Sequence, residues 1–296
     1  RAAYGAEGDP ARERLEQRLS VFTAVASLGQ FRDVNATASV ERVLRKLASG
    51  KAKMILSKRE PRLPSPTFVK AYLDAFRPKP APSIGDDAPQ GDQTLKRAFE
   101  ALEAQDYAHS LSLFQEALQQ GLSTQELEAA ALNMHGTYMF VMGEPKRALE
   151  DLDRSIELSP ENVQTWVKKA SVHVELGDKD AAMADFDRAV ALNADDADIY
   201  YHRGQVHFIL GEFEAAMSDY SKSTSLDDTF IFSQVQHAVA SYKLGNIARS
   251  TAEFCRILKK FSDSSESYNY FGELMLDQQR HEDAVANFDK SIALEQ

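Results

Sequence analysis

Small side chains recur every 34 residues through the second half of the chain, and this period constrains the fold more than any other sequence feature. The recurring small residues are Gly136, Ala170, Gly204, Ala238 and Gly272. Three more columns keep the same step, one of glycine, one of small residues and one of bulky residues. They are Gly143, Gly177, Gly211, Gly245 and then Gln279; Ala148, Ala182, Ala216, Ser250 and Ala284; and Leu152, Phe186, Tyr220, Phe254 and Phe288. Four columns in phase over five repeats predict an array of similar structural elements.

Each column has a physical role in a hairpin of two helices. A small residue in the first helix lets the second helix approach closely. The glycine seven residues later can adopt the left-handed conformation that ends a helix. The small residue of the second helix lies where the helices cross, and the bulky residue one turn later fills the space below it. The columns therefore predict repeats at 129–162, 163–196, 197–230, 231–264 and 265–296.

This period and these columns resemble the tetratricopeptide repeat (TPR). The aromatic residue near the start of that motif stands at Trp166, Tyr200 and Tyr268, and its closing proline survives at Pro160. The resemblance implies an all-α fold, a solenoid of TPR helical hairpins that forms a right-handed superhelix. A poorer repeat covers about 91–124, offset by a four-residue insertion around 121–128. Because the last repeat ends without the polar cap that solenoids need, we expect further repeats to follow.

Residues 1–90 do not follow the period. We expect 1–59 to be helical, a remnant of an N-terminal TPR domain with connecting helices, and 91–296 to be a C-terminal-type TPR array. Prolines cluster on both sides of 67–77, so 60–90 is predicted to be a linker. Within it, 67–77 is predicted to form a short amphipathic helix carrying Phe68, Val69, Tyr72, Leu73 and Phe76. That helix either packs on the array or docks into a groove, in this chain or on a partner.

The sequence offers no motif for catalysis or for a metal or cofactor, and we expect a protein that is not an enzyme. The one cysteine, Cys255, follows a bulky core position and is predicted to be buried. For His173 and His207, which are 34 residues apart, packing or a satisfied hydrogen bond is favoured over metal binding. Residues 91–296 carry a net charge of −17, which disfavours nucleic acid and favours positively charged partners.

A scaffold without catalytic groups acts through its surface, and TPR arrays bind along the concave wall formed by the first helices. The inward positions predict a precursor or peptide groove lined by Phe140, Val174, Tyr201, Gln205, Phe208, Phe232, Val235, Val239, Tyr242, Asn269 and Glu273. This mixture suits an extended or helical peptide with one apolar and one basic face. The alternative is that each of these side chains merely packs against its neighbours. The inward positions offer Asn133 and Asn269 without a matching Lys or Arg, so a carboxylate clamp is not expected.

The run Tyr-Tyr-His-Arg-Gly-Gln-Val-His-Phe-Ile-Leu at 200–210 is very similar to a segment of the large TPR receptors of the mitochondrial outer-membrane protein translocase, fungal type. The likeness continues at 269–274 and, upstream, at 63–65, 67–68 and 76–78. It spans most of the chain and is weakest over 1–30 and 91–128.

That resemblance implies an import receptor on the cytosolic face of the mitochondrial outer membrane. Such a receptor binds precursor proteins, both carrier-type precursors and targeting-signal peptides, in the groove and passes them to other translocase subunits. The family also engages Hsp70 and Hsp90 through clamp repeats, and it has a membrane anchor; we expect both to be absent from this chain. The alternative is a TPR co-chaperone or a scaffold subunit of another multiprotein complex.

Overall fold

The computed structural model describes residues 69, 70, 73, 76 and 81–294, and over these residues the chain forms α-helices and no strand. The helices are α1 (Gln90–Glu103), α2 (Tyr107–Gln120), α3 (Gln125–Val141), α4 (Pro145–Leu158), α5 (Val163–Glu175), α6 (Lys179–Leu192), α7 (Ala197–Ile209), α8 (Phe213–Leu226), α9 (Ile231–Lys243), α10 (Ile247–Lys260), α11 (Ser265–Asp277) and α12 (His281–Leu294). None of these helices is long and apolar enough to cross a membrane. The predicted helical segment 1–59 and much of the linker lie outside the described residues.

Consecutive helices pair into antiparallel hairpins, α1 with α2, α3 with α4, and so on to α11 with α12. The chain divides into two compact units between Ala194 and Asp195. Unit 1 holds α1 to α6, and unit 2 holds α7 to α12. The expected all-α fold of TPR hairpins is confirmed.

Close contact at the small residue of the first helix, the column that contains Gly136 and Gly204, holds the two helices of a hairpin together. In unit 1, a Cβ added at Gly136 would lie 3.0 Å from the Cβ of Asp151 and 3.2 Å from the Cγ of Leu152. In unit 2, a Cβ at Gly204 would lie 2.8 Å from the ring of Tyr220. The bulky side chain of the second helix therefore lies directly on the bare backbone of the first, as the columns predict. The small residue of the second helix and the bulky residue one turn later are both fully buried in the first four strict repeats.

The glycine column ends the first helix of its hairpins in the left-handed conformation. Gly143, Gly177, Gly211 and Gly245 have φ between 77° and 81°. Around Gly143, the N–H of Gly143 donates to the Phe140 carbonyl and the N–H of Glu144 to the Met139 carbonyl, which satisfies carbonyls that the helix end leaves free. The last repeat keeps this turn although glutamine replaces glycine, since Gln279 has a φ of 60°.

The irregular first hairpin keeps the internal spacing of the others. Ala98, Gln105, Ser110 and Phe114 stand at the same separations as Gly136, Gly143, Ala148 and Leu152. Gln105 has a φ of 60°, as Gln279 does, and Phe114 is fully buried. The four-residue offset therefore falls between hairpins, where the α2–α3 turn contains Gly121 with a φ of 81°.

A column of pairs of a basic and an acidic residue, which sequence analysis did not find and which we call charge pairs, links the two helices of each of four hairpins. Where the basic residue is a histidine, the pair is charged only when the ring is protonated. A basic residue on the first helix meets an acid 16 residues later: His135 with Asp151, Lys169 with Asp185, Arg203 with Asp219, and His237 with Glu253. The Arg203–Asp219 pair is bidentate, with distances of 2.9 and 2.7 Å. The last hairpin has Phe271 and Asn287 at these positions, so the column ends there.

The surroundings of Asp185 and Glu253 shift the pKa values of these two acids in opposite directions. Burial raises the pKa of Asp185, although Lys169 and His173 oppose the shift. Burial also acts to raise the pKa of Glu253, but hydrogen bonds from His237 and Arg249 outweigh it and the pKa is lowered. Asp185, Asp219 and Glu253 are buried, so these acids link the two helices of a hairpin rather than solvate the surface.

Of the remaining expectations for single residues, those for the two histidines are confirmed and that for the cysteine is wrong. His173 Nδ1 lies 2.8 Å from Asp185 Oδ2, and His207 Nδ1 lies 2.7 Å from Glu212 Oε2, so the satisfied hydrogen bonds are confirmed. The prediction of a buried thiol is wrong, because Cys255 is exposed. Successive residues of a helix are rotated by about 100°, so the burial of Phe254 does not carry over to its neighbour on α10.

We expect Gln279→Gly to raise the free energy of unfolding by about 0.5–1 kcal/mol. A non-glycine residue is strained by about 1–2 kcal/mol in the left-handed conformation, and the greater freedom of glycine in the unfolded chain offsets part of the gain. Urea unfolding measures the difference. Gly245→Gln is the matched control: an added Cβ meets open space, so its loss of stability reports the same two backbone contributions with the opposite sign and without a steric clash. A destabilised Gln279→Gly variant would contradict the assignment.

Candidate peptide-binding face

The predicted groove residues all lie on the first helices of their hairpins. Phe140 on α3 and Val174 on α5 belong to unit 1, and both are partly buried. The other nine belong to unit 2 and lie on α7, α9 and α11. Each unit therefore carries its own candidate surface.

Four of the nine residues in unit 2 are core rather than surface. They are Tyr201, Gln205, Phe208 and Val235. Tyr201 is 1% exposed and packs edge-on against Phe230 at 4.9 Å, with Tyr220 at 6.1 Å between ring centroids. Gln205 donates from Nε2 to the Tyr201 hydroxyl at 2.7 Å. For these four, packing against neighbours describes the structure better than direct contact with a peptide.

The other five are partly exposed and define what we call the unit 2 face: Phe232, Val239, Tyr242, Asn269 and Glu273. Phe232 rests on the core aromatics, with its ring 5.6 Å from Phe230 and 6.4 Å from Tyr201. The buried tyrosine therefore supports the exposed phenylalanine. The face is apolar and aromatic on α9 and polar on α11.

Hydrogen bonds fix the polar side of the unit 2 face. The Tyr242 hydroxyl donates to Asp277 Oδ2 at 2.5 Å, which links α9 to α11. Asn269 donates from Nδ2 to Glu273 Oε1 at 3.2 Å. Asp277 is an acid of this surface that is absent from the predicted groove residues.

Burial changes the titration of two of these residues. It raises the pKa of Glu273 to about 7, with the hydrogen bond from Asn269 acting in the opposite direction. Within the part of the chain that the structure describes, Glu273 Oε2 is buried and has no hydrogen-bond partner. Burial and the hydrogen bond to Asp277 raise the pKa of Tyr242 to about 12. The carboxyl of Glu273 is thus close to half-ionised at neutral pH.

In unit 1 a polar network lies on the first helices. Lys168 on α5 donates from Nζ to Asn133 Oδ1 at 2.7 Å, and Asn133 donates from Nδ2 to Thr165 Oγ1 at 2.8 Å. The expectation that no lysine accompanies Asn133 is therefore wrong. Lys168 is absent from the predicted groove residues, and its long side chain reaches the asparagine of the preceding repeat.

The described residues 81–294, with the four described linker positions, hold no group of His, Cys, Asp and Glu that could bind a metal ion. Both surfaces combine aromatic and apolar side chains with a few fixed polar groups. Surfaces of this kind bind peptides, because rigid aromatics supply contact area at small entropic cost and polar groups fix orientation.

Family models of the tetratricopeptide repeat match residues 170–211 and 197–230. The fold is that of a tetratricopeptide-repeat protein. The second match has the bounds of the repeat that the columns assign to α7 and α8.

Named relatives make the comparison more specific. The human mitochondrial import receptor subunit TOM70 is 26% identical to this chain over 311 residues, covering 96% of this chain and 51% of the relative. TOM70 of Saccharomyces cerevisiae is 26% identical over 246 residues, covering 79% and 40%. The crystal structure of yeast Tom70 aligns with a TM-score of 0.71 at 26% identity, over 95% of this chain and 62% of that one.

These similarities confirm the resemblance that the run at 200–210 indicates. They extend over nearly the whole sequence, well beyond the repeat columns. The chain spans about half the length of the human relative. The relatives named here are mitochondrial import receptor subunits.

We expect Glu273→Gln to stabilise unit 2 increasingly as pH rises from 5 to 8. A carboxyl whose pKa is raised by folding stabilises the folded state below its unfolded pKa, near 4.5, and that stability is lost as pH rises through about 7. The variant has no carboxyl to ionise, so its advantage over the original chain should grow by up to about 3 kcal/mol. Urea unfolding across this pH range measures the difference. Glu266→Gln, at an exposed position on α11, is the control, and a pH-independent advantage would contradict the burial of Glu273.

Proposed function

We propose that this chain is part of a mitochondrial protein import receptor, exposed at the cytosolic face of the outer membrane. It binds precursor proteins through its first helices and passes them to other subunits of the translocase. Similarity to the TOM70 import receptor subunits along 96% of the chain is the observation that carries this proposal. Hsp70 and Hsp90, which the sequence resemblance implies, belong to the proposal as partners of repeats other than those described here.

The unit 2 face is the surface we assign to precursor binding within unit 2. Phe232 and Val239 offer apolar contact, and Tyr242 adds an aromatic ring held by Asp277. Asp277 supplies negative charge next to these apolar groups, Glu273 adds to it in its ionised form, and residues 91–296 as a whole carry −17. A helix with one apolar and one basic face matches both features.

The alternative, a co-chaperone or scaffold subunit of another complex, is compatible with the TPR fold taken alone. Similarity of sequence outside the repeat columns favours the receptor. A scaffold subunit would show no preference for a basic amphipathic peptide over one of the same composition with scrambled order, whereas the proposed receptor would.

We expect Tyr242→Ala to weaken binding of a basic amphipathic targeting peptide by about tenfold, since exposed aromatics of a binding surface contribute about 1–2 kcal/mol or more. Fluorescence anisotropy with a labelled peptide measures the affinity. Tyr242→Phe keeps the ring and should lose less. Ile247→Ala, at an exposed position on the second helix α10, is the matched control. Equal affinities for all these proteins would exclude the unit 2 face as the site.

Tyr201→Ala and Phe208→Ala are poor tests of binding, because both side chains are buried in unit 2. We expect Tyr201→Ala to cost about 3–5 kcal/mol of stability through the cavity it leaves. A thermal melt would show this as a loss of folded unit 2. A folded Tyr201→Ala protein of unchanged stability would mean that Tyr201 does not support the face.

Raising the salt concentration should weaken binding of the basic peptide. Charges separated by more than about 8 Å are largely screened at physiological ionic strength, so long-range attraction by the acidic repeats disappears first. Anisotropy at 50 mM and 500 mM NaCl compares the affinities. An uncharged peptide of the same apolar pattern serves as the control, and a basic peptide as insensitive to salt as this control would contradict the role of charge.

A further inference from the structure

The linker residues ahead of α1 lie on the first helices of unit 1. Val69, Lys70 and Leu73 are helical, and Val69 and Phe76 are 1% and 6% exposed. Val69 and Leu73 follow the i, i+4 spacing that puts two side chains on one side of a helix, and Phe76 follows at i+7 in a bend, where its N–H donates to the Leu73 carbonyl. The same spacing is used by amphipathic helices that bind in a hydrophobic groove. We call these three residues the linker anchors.

The linker anchors pack against the core of unit 1 and extend to α5. Val69 belongs to the same buried apolar cluster as Leu95 and Ala98 of α1, and Leu73 packs against that cluster. At the other end, Lys168 Nζ on α5 lies 5.5 Å from the centroid of the Phe76 ring. The linker therefore covers part of the surface that corresponds, in unit 1, to the candidate binding face of unit 2.

The described linker residues leave part of the space next to them unfilled. A cavity of about 500 Å³ remains between it and the helices, the size of a small ligand pocket. One wall is the linker itself, with Leu73, Phe76 and Pro82. The other wall is apolar and aromatic with a polar floor: Phe99, Leu102, Tyr107, Met134, Asn133 and Lys168.

An incompletely filled contact is weaker than a packed one, because atoms that line a void lack partners on one side. A helix with larger apolar anchors could fill the same surface more completely. The linker also joins α1 directly, so its local concentration is high and it competes effectively despite imperfect packing. These are the properties of an intramolecular occupant that a better-fitting ligand can replace.

We propose that the first-helix surface of unit 1 is a groove for an amphipathic helix, and that the linker anchors occupy it in cis and compete with client helices. The identity of the client rests on the function proposed above, whereas the groove and its occupant do not. The ligand chemistry follows from the occupant: a helix with apolar or aromatic side chains at i, i+4 and i+7.

A labelled peptide of residues 67–77, added to the whole chain, tests the groove without any client. We expect Val69→Asp/Phe76→Asp to displace the linker and bind the peptide at least about tenfold more tightly than the original chain, because an occupied groove lowers the apparent affinity by its free fraction. Phe76→Ala should act in the same direction with a smaller effect and provides a milder variant if the double substitution unfolds. Val285→Asp, at an exposed position of unit 2, is the control for an added charge.

A second substitution tests whether the 67–77 peptide binds in the cavity. Met134→Glu, introduced on its own and together with Phe76→Ala, should abolish binding of the 67–77 peptide while the thermal melt remains that of a folded protein. Equal peptide affinity in the original chain and both linker variants, or unchanged binding by Met134→Glu, would overturn the proposal.

A basic amphipathic targeting peptide and a carrier-derived apolar peptide are then compared on the same proteins. Tighter binding by the linker variants supports competition between linker and client. If the 67–77 peptide binds the variants but neither client peptide binds any protein, the groove stands and the proposed import function fails.

Discussion

The close approach of two helices at a single small residue is the contact on which the rest of this structure depends. At Gly204, the absent Cβ leaves room for the ring of Tyr220, and a methyl group there would lie 2.8 Å from that ring. The same contact recurs at Gly136 and Leu152 in the other unit. Because the second helix is held so tightly, the first helix keeps a different side available for other contacts, and that side carries the candidate binding surfaces.

The charge pairs reinforce this arrangement next to the contact. Arg203 precedes Gly204 and Asp219 precedes Tyr220, so the bidentate pair and the ring contact share adjacent residues on the same two helices. Apolar packing sets the distance between the helices, and the ion pair fixes how they are rotated and shifted along each other. The consequence for function is a rigid support, on which exposed residues such as Phe232 and Tyr242 hold defined positions.

Burial then decides which inward residues can touch a partner. Tyr201 and Phe232 are both aromatic residues of first helices, yet the first is enclosed by Tyr220 and Phe230 while the second is partly exposed on top of it. Tyr201 supports Phe232 from inside the core, and Phe232 forms part of the exposed surface. In unit 1 the comparable surface is covered by the chain's own linker residues, so access to it depends on an intramolecular contact rather than on side-chain type.

The sequence by itself determined the fold, because the constraints that define a TPR hairpin are local. A 34-residue period, a small residue, a glycine seven residues later and a bulky residue 16 residues later all act within one hairpin, and each is visible as a residue type at a fixed spacing. The period also indicated which helix of each pair would carry the candidate surface. The charge column was equally periodic, at 135, 169, 203 and 237, and could have been found from the same alignment of repeats.

Only the tertiary structure decided which of the inward residues are exposed and what covers them. Residue type did not separate Tyr201 from Tyr242, since the burial of each depends on neighbours that pack from other helices. The pairing of Lys168 with Asn133 joins residues 35 positions apart, and the contact of Phe76 with Lys168 joins residues 92 positions apart. Such contacts follow from packing between repeats, which a single sequence does not encode as a spacing. The fold therefore came from local periodicity, and the candidate sites came from contacts between repeats.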